Sequence, residues 1–175
     1  MKNILLMGPA GVGKTALIKK LSEIFKEFNA AGFYTVEIME DGIQKGSEVI
    51  SLYGENRVLC HTNLKSKHSV GKYKVDVKGF ENLLESIFSR EKKKGVYFID
   101  EIGKTECVSR KFNKLILELL ESDKPVVATV SDKGTGLINE IKKREDVTVY
   151  EINPDNRELM LKALTMEIRD ILLES

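Results

Sequence analysis

Gly8-Pro9-Ala10-Gly11-Val12-Gly13-Lys14-Thr15 fits the spacing GxxxxGK[ST]. Glycines placed this way let successive backbone N–H groups turn inward around an anion, and a helix opening near Thr15 adds the positive end of its dipole. Lys14 is set to reach the β- and γ-phosphates of a nucleotide, and the Thr15 hydroxyl to ligate Mg²⁺. A glycine-rich turn that merely starts a helix does not require the full order of strand, loop and helix found here.

A second group of chemical residues closes the run Val96-Tyr97-Phe98-Ile99-Asp100-Glu101. An aspartate at the carboxyl end of a buried strand beside a phosphate loop is the expected Mg²⁺ partner, directly or one shell out. Glu101 can then face the γ-phosphate and polarise an attacking water as a general base. Hydrolysis needs such a group, whereas nucleotide binding alone does not. The plainer reading is two solvated residues ending a strand, and the phosphate loop weighs against it. Asp100-Glu101-Ile102-Gly103 also fits DxxG, a turn in which Gly103 senses the γ-phosphate. A signalling GTPase is not expected, because Asn113-Lys114-Leu115-Ile116 lacks the Asp of the guanine-reading NKxD. The LSGGQ signature is absent too.

Other polar residues have two readings each. Lys104 either touches a phosphate or is solvated. Thr129 and Ser131 end the next strand, where polar side chains sense a γ-phosphate or simply meet solvent. Phosphoryl transfer often recruits an arginine to neutralise transition-state charge. The arginines are Arg57, Arg90, Arg110, Arg144, Arg157 and Arg169, of which Arg110 and Arg157 are best placed in sequence. The basic segment from Lys65 to Lys74 reads as a flap over a triphosphate or as a solvated connection. Lys92 to Lys94 reads as an exposed helix end, and His61 and His68 lack partners at ligand spacing.

These residues need a frame, and the apolar pattern supplies one. Short apolar runs alternate with amphipathic stretches, which predicts an α/β domain with a largely parallel sheet. Strands are expected at 3–7, 33–39, 96–99, 126–130 and 147–152, with weaker ones at 49–53, 58–61 and 73–77 forming a β-rich insertion. Helices are expected over 16–28, 80–90, 112–120 and 137–143, and from 153–154 to about 173. With 175 residues, no repeat and no linker-like stretch, residues 1–175 read as a single domain.

Composition removes several classes. Lys+Arg 28 against Asp+Glu 27 gives a formal net charge of +1, so neither nucleic acid nor a membrane surface is expected as a partner. Cys60 and Cys107 lie far apart without ligand spacing, which fits a reducing cytosol. The first apolar run is too short for a signal peptide or a membrane span, so a cytoplasmic protein is expected.

Longer motifs carry a resemblance. Besides the phosphate loop there are Gly32-Phe33-Tyr34-Thr35 with Glu37, and Val70-Gly71-Lys72-Tyr73 with Val75-Asp76-Val77. There are also Asp100-Glu101-Ile102-Gly103-Lys104-x-Glu106 with Ser109 and Phe112, then Val126 to Val130, and Asn156-Arg157. Nearly end to end, the chain resembles the small P-loop nucleoside-triphosphatases of the thermophile type, relatives of cancer-related nucleoside-triphosphatase. The resemblance implies a RecA-like, mostly parallel sheet flanked by helices, with the β-rich insertion between the P-loop helix and the acidic strand. It implies Mg²⁺-dependent hydrolysis of ATP, GTP, CTP, UTP and TTP to diphosphate and phosphate, with loose base preference. Where the family tends to read EEVR and an R-x-G-F hairpin, this chain has Val36-Glu37-Ile38-Met39 and Lys45-Gly46-Ser47, so no nucleotide contact carries over to that hairpin. Thr105 and Cys107 replace Met and Leu in the acidic loop.

The expected chemistry is therefore nucleoside-triphosphate hydrolysis. Lys14 and the amides of Gly8 to Thr15 hold phosphate, Thr15 and Asp100 hold Mg²⁺, Glu101 activates water, and Arg110, Arg157 or Lys104 completes the site. Two alternatives stand beside it: a small-molecule or nucleotide kinase with its acceptor in the insertion, and a nucleotide-dependent binding switch with negligible turnover. The oligomeric state is left open, a monomer included.

Overall fold

A computed structural model describes residues 1–88, 94–134 and 136–174. Its strands are β1 (Asn3–Met7), β2 (Ala30–Glu40), β3 (Ile43–Ser51), β4 (Asn56–His61), β5 (Ser69–Val70), β6 (Tyr73–Val75), β7 (Val96–Ile102), β8 (Val126–Val130) and β9 (Val147–Glu151). The helices are α1 (Lys14–Ile24), α2 (Val77–Phe88), α3 (Arg110–Glu121), α4 (Leu137–Lys142) and α5 (Arg157–Leu173), with 3₁₀ turns at Lys26–Phe28 and Glu106–Val108. All the strands join one sheet in the order β5-β6-β4-β3-β2-β7-β8-β1-β9.

From β2 to β9 neighbouring strands run parallel, and from β2 to β5 they run antiparallel. Parallel strands covered on both faces must be apolar on both. Strand periodicity then divides their side chains between two cores. Ile4, Leu6, Phe98 and Val127 pack with Leu17, Ile18 and Leu21 of α1 and Leu164 and Ile168 of α5. Leu5, Ile99, Ala128 and Val130 point the other way, toward Phe80 of α2, Phe112 and Ile116 of α3, and Ile138 of α4. The expected RecA-like architecture is present, with helices on both faces.

Several boundaries differ from the expectations. The insertion is not a separate layer; β3 to β6 extend the same sheet edge by antiparallel pairing. β2 is longer than expected at both ends, and its turn at Asp41-Gly42 leads directly into β3. The stretch expected as a strand over 73–77 divides, because Asp76 accepts from the Gly79 N–H and begins α2. α1 stops at Ile24, and residues 26–28 tighten into a 3₁₀ turn. Arg90, Lys92 and Lys93 lie outside the described residues. Among the described residues no helix is long and apolar enough to cross a membrane.

Asn3 anchors the base of β1. Its side chain, 0% exposed, accepts from the Val126 N–H at 3.1 Å and donates to the Leu120 carbonyl and Asp146, each at 3.1 Å. Removing the amide strands a buried N–H, which costs about 1–3 kcal/mol. Asn3→Ala is therefore expected to lower the free energy of unfolding by about that amount, read from denaturant midpoints, and to leave ATP affinity within about twofold of the parent.

Candidate active site

The phosphate loop occupies the gap between the end of β1 and the start of α1. Gly13 caps α1 with φ 106°, a left-handed backbone that glycine adopts without a Cβ clash. The N–H groups of the first helical turn have no partner inside the helix and face outward to an anion. The Lys14 ammonium donates to the Gly8 carbonyl across the loop.

Across β8 from β1 lies β7, and its end brings the acidic pair to the same cleft. Asp100 is 2% exposed and accepts hydrogen bonds from the Thr15 hydroxyl at 2.7 Å, the Thr129 hydroxyl at 2.6 Å and the Thr35 N–H at 3.4 Å. Its three donors come from α1, β8 and β2. The β7–β8 register shifts between Ile99 and Ile102, and the Asp100–Glu101 peptide is cis. Glu101 lines the cleft beside its neighbour. Burial foremost, and then the Asp100 charge, hold its carboxyl above the ordinary carboxylate range; Lys14 and a hydrogen bond with Ser131 act in the opposite direction.

Glu106, in the 3₁₀ turn after β7, is a further buried acid on the cleft wall. Burial, followed by the Glu101 charge, pushes it up to about 8, although the backbone N–H groups of Glu106 and Gly103 favour its ionised form. Next to it, the Cys107 thiol is pushed up to about 12, mainly by burial. A thiol at that value carries no nucleophilic thiolate near neutral pH.

The cleft encloses about 960 Å³. Its floor is the phosphate loop with Asp100 and Glu101, and one wall carries Ser131, Asp132 and Lys133. The opposite wall comes from the antiparallel edge and includes Thr35, Gln44, Ser47 and Tyr73. Tyr73 is fixed there by donating to the Gln44 carbonyl at 3.3 Å. The basic segment from Lys65 to Lys74 is tied into this edge, because Val70 pairs with Tyr73 and the Val75 N–H bonds the His68 carbonyl.

The structure brings together Gly8, Pro9, Ala10, Gly11, Gly13, Lys14, Thr15, Asp100 and Glu101, all of which line the cleft. Val12 is instead buried in the core beneath the loop. Gly103 is not on the cleft lining; a Cβ there would meet Glu101 Oε1 at 2.7 Å, Glu106 Oε2 at 2.9 Å and Ser131 Oγ at 3.0 Å. A side chain there would have to displace the ends of Glu101, Glu106 and Ser131. Lys104 and Arg110 are exposed and absent from that lining, whereas Arg144 is bonded to Asp146 at 2.8 Å. Arg157 approaches the loop from outside, with Cδ and Nη1 each 3.9 Å from a Cβ position on Gly13, and it lines a hollow of about 380 Å³ with Lys20 and Glu158.

Thr129 and Ser131 sit beside the acids: Thr129 donates to Asp100 at 2.6 Å, and Ser131 favours the charged form of Glu101. Glu106 was visible in the sequence only as the last acid of the Asp100 motif; its burial against Glu101 depends on the 3₁₀ turn. His61 sits 3.5 Å from Glu40 and accepts from the Asn63 N–H, a structural arrangement.

A family model described as NTPase matches residues 3–165. The nucleoside-triphosphatase THEP1 of Thermotoga sp. (strain RQ2) is 43% identical over 162 residues, covering 92% of each chain. The crystal structure of THEP1 from Aquifex aeolicus superposes with a TM-score of 0.83 at 33% identity, covering 93% of this chain and 96% of that one. The solution structure of a human cancer-related nucleoside triphosphatase gives 0.81 at 32% identity, with 97% and 98% covered.

The threonine at the far side of Asp100 offers a test of this geometry. Thr129→Val keeps the volume and removes one donor from a buried carboxylate. Losing such an outer partner is expected to weaken binding of ATP with a divalent metal by about 10-fold or more in a calorimetric titration. ATP binding measured without the metal should change by less than about twofold.

Proposed function

We propose that this chain, which belongs to the NTPase family, is a nucleoside-triphosphatase that hydrolyses ATP, GTP, CTP, UTP and TTP with Mg²⁺ and loose base preference. The observation that carries this reading is the Thr15–Asp100 hydrogen bond of 2.7 Å, which joins the phosphate loop to the acidic strand with Glu101 beside it. The whole of residues 1–175 acts as one catalytic unit. The free thiols of Cys60 and Cys107 fit a reducing compartment such as the cytoplasm.

The residues present suit a small hard cation. Mg²⁺ takes oxygen ligands and is usually held by one or two protein groups together with substrate phosphates. The Thr15 hydroxyl and an Asp100 oxygen supply such ligands. Held by these two residues, such an ion would supply positive charge against the triphosphate.

The loop amides and Lys14 hold the β- and γ-phosphates through hydrogen bonds and charge. Glu101 accepts a proton from water, and the water oxygen bonds to the γ-phosphorus. The bond from that phosphorus to the bridging oxygen breaks, leaving the nucleoside diphosphate and inorganic phosphate, and Glu101 returns its proton to solvent. Arg157 lies on the outer face of the loop, where its charge adds to the field around the phosphates.

A small-molecule phosphotransferase is the second reading. It is favoured by the cleft continuing past the acidic pair along Thr35, Gln44, Ser47 and Tyr73. Stimulation of ADP release by an added hydroxyl compound, with its phosphate ester as product, would select it.

Phosphate release from the five triphosphates with Mg²⁺ tests the hydrolase directly. Glu101→Gln is expected to lower turnover by about 10²–10⁴-fold while ATP still binds. Lys14→Ala should lower both affinity and turnover, and chelation of the metal should abolish release. Hydrolysis by Glu101→Gln at the parent rate would remove Glu101 from the role of base.

A further inference from the structure

The lining of the cleft is unevenly charged. It includes the acidic residues Glu37, Asp100, Glu101, Glu106 and Asp132, and among the described residues only two basic ones, Lys14 and Lys133. A bound triphosphate adds further negative charge, so every cation beside it counts. Lys14 is engaged with the Gly8 carbonyl. Lys133 is exposed and has no ion-pair partner among the described residues, neighbouring Asp132 included. The other basic candidates lie elsewhere, Lys104 and Arg110 off this lining and Arg157 on the outer side of the loop.

The backbone that carries Lys133 is held from two sides. The Ser131 N–H donates to the Ile102 carbonyl at the end of β7, at 3.3 Å. From α4, the Lys142 ammonium donates to the carbonyls of Ser131 at 2.6 Å and Asp132 at 3.0 Å. Lys142 is thereby committed to fixing the segment, while Lys133 keeps its charge available. Strand order decides which end of a triphosphate Lys133 meets. β8 lies between β7 and β1, so the segment after it stands between the acidic pair and the phosphate loop. Arg157 follows β9, on the other side of β1. Ser131 Oγ and Glu101 Oε1 approach one point, the place a Gly103 Cβ would take, to 3.0 and 2.7 Å. Lys133 thus belongs to the Glu101 end of the cleft.

We propose that the Lys133 ammonium contacts the γ-phosphate oxygens and makes the cleft prefer a nucleoside triphosphate to a diphosphate. This rests on the hydrolase reading, in which the γ-phosphate faces Glu101. A lysine suits the task, because its ammonium is a compact charge with rotatable donors on a flexible stem. Its hydrogen bonds to phosphate are charge-assisted, and they are lost when the γ-phosphate leaves as product. A diphosphate in the same loop presents nothing to that ammonium, so the contact separates substrate from product.

The test reads binding rather than turnover. Calorimetric titrations with Mg²⁺ compare ADP with an ATP analogue whose β–γ bridge is a methylene and resists hydrolysis. The parent is expected to bind the analogue more tightly than ADP. Lys133→Ala is expected to lose about 10-fold or more in affinity for the analogue, with ADP within about twofold of the parent. Lys133→Arg keeps the charge and should recover most of that loss. Equal losses for both nucleotides, no loss for either, or an arginine variant as weak as alanine overturns the proposal. Lys133 is exposed, so these replacements leave the core untouched. Phosphate release from ATP by the parent is followed alongside. Selective loss of the analogue without any release keeps the γ-phosphate contact and removes the hydrolase, whereas a parent that binds neither nucleotide removes both.

Discussion

A carboxylate removed from water must be surrounded by donors, and the burial of Asp100 imposes that demand at the centre of this molecule. Its donors come from the first turn of α1, from the end of β8 and from the backbone of β2. Satisfying one side chain therefore fixes the phosphate loop, the acidic strand and the first strand of the antiparallel edge against one another. The strand order makes this possible, because only β8 stands between β1 and β7, and Thr15 at the start of α1 bridges that gap to Asp100. A hydroxyl at Thr129 then reaches Asp100 from within the sheet, while Thr15 reaches it from the helix.

Asp100 and Glu101 are adjacent in sequence, and adjacent residues of a regular strand point to opposite faces. Both nevertheless line one cleft, because the β7 register shifts at this pair. Local irregularity at a strand end commonly re-aims side chains beside active sites. The result places two neighbouring carboxylates in the same cleft as the phosphate loop. It also concentrates negative charge, which Lys14 and Ser131 partly offset at Glu101.

The elements that carry chemistry were readable from the chain because their signals are local. The glycine spacing from Gly8 to Thr15 specifies the loop by itself, and the apolar run before Asp100 specifies a buried strand with a polar end. Strand periodicity in β1, β7 and β8 was equally plain, since burial on both faces leaves apolar residues throughout. What escaped depended on contacts between distant segments. Gly103 looked like a phosphate sensor but makes room for Glu101 and Glu106. Thr129 and Ser131 had a bland reading, because nothing local shows that a carboxylate lies across the sheet from each. Lys104 and Arg110 follow the acidic motif in sequence, yet the turn after β7 carries them to the exposed surface. The weaker strands of the antiparallel edge were misplaced at their ends because half-exposed pairing leaves a fainter pattern.

The sheet is built from two parts that meet at β2, and each has its own share of the cleft. The parallel part owns the floor, where the phosphate loop and the acidic pair are interlocked through Asp100. The antiparallel part owns the far wall, and it ends in the two-residue strand β5, a short edge that limits pairing with another chain. Hairpins at such an edge can change length and side chains without touching the strands that hold the floor. The chain thus separates a fixed reaction from an adjustable reception surface, so a descendant could acquire a new guest while keeping the same cut.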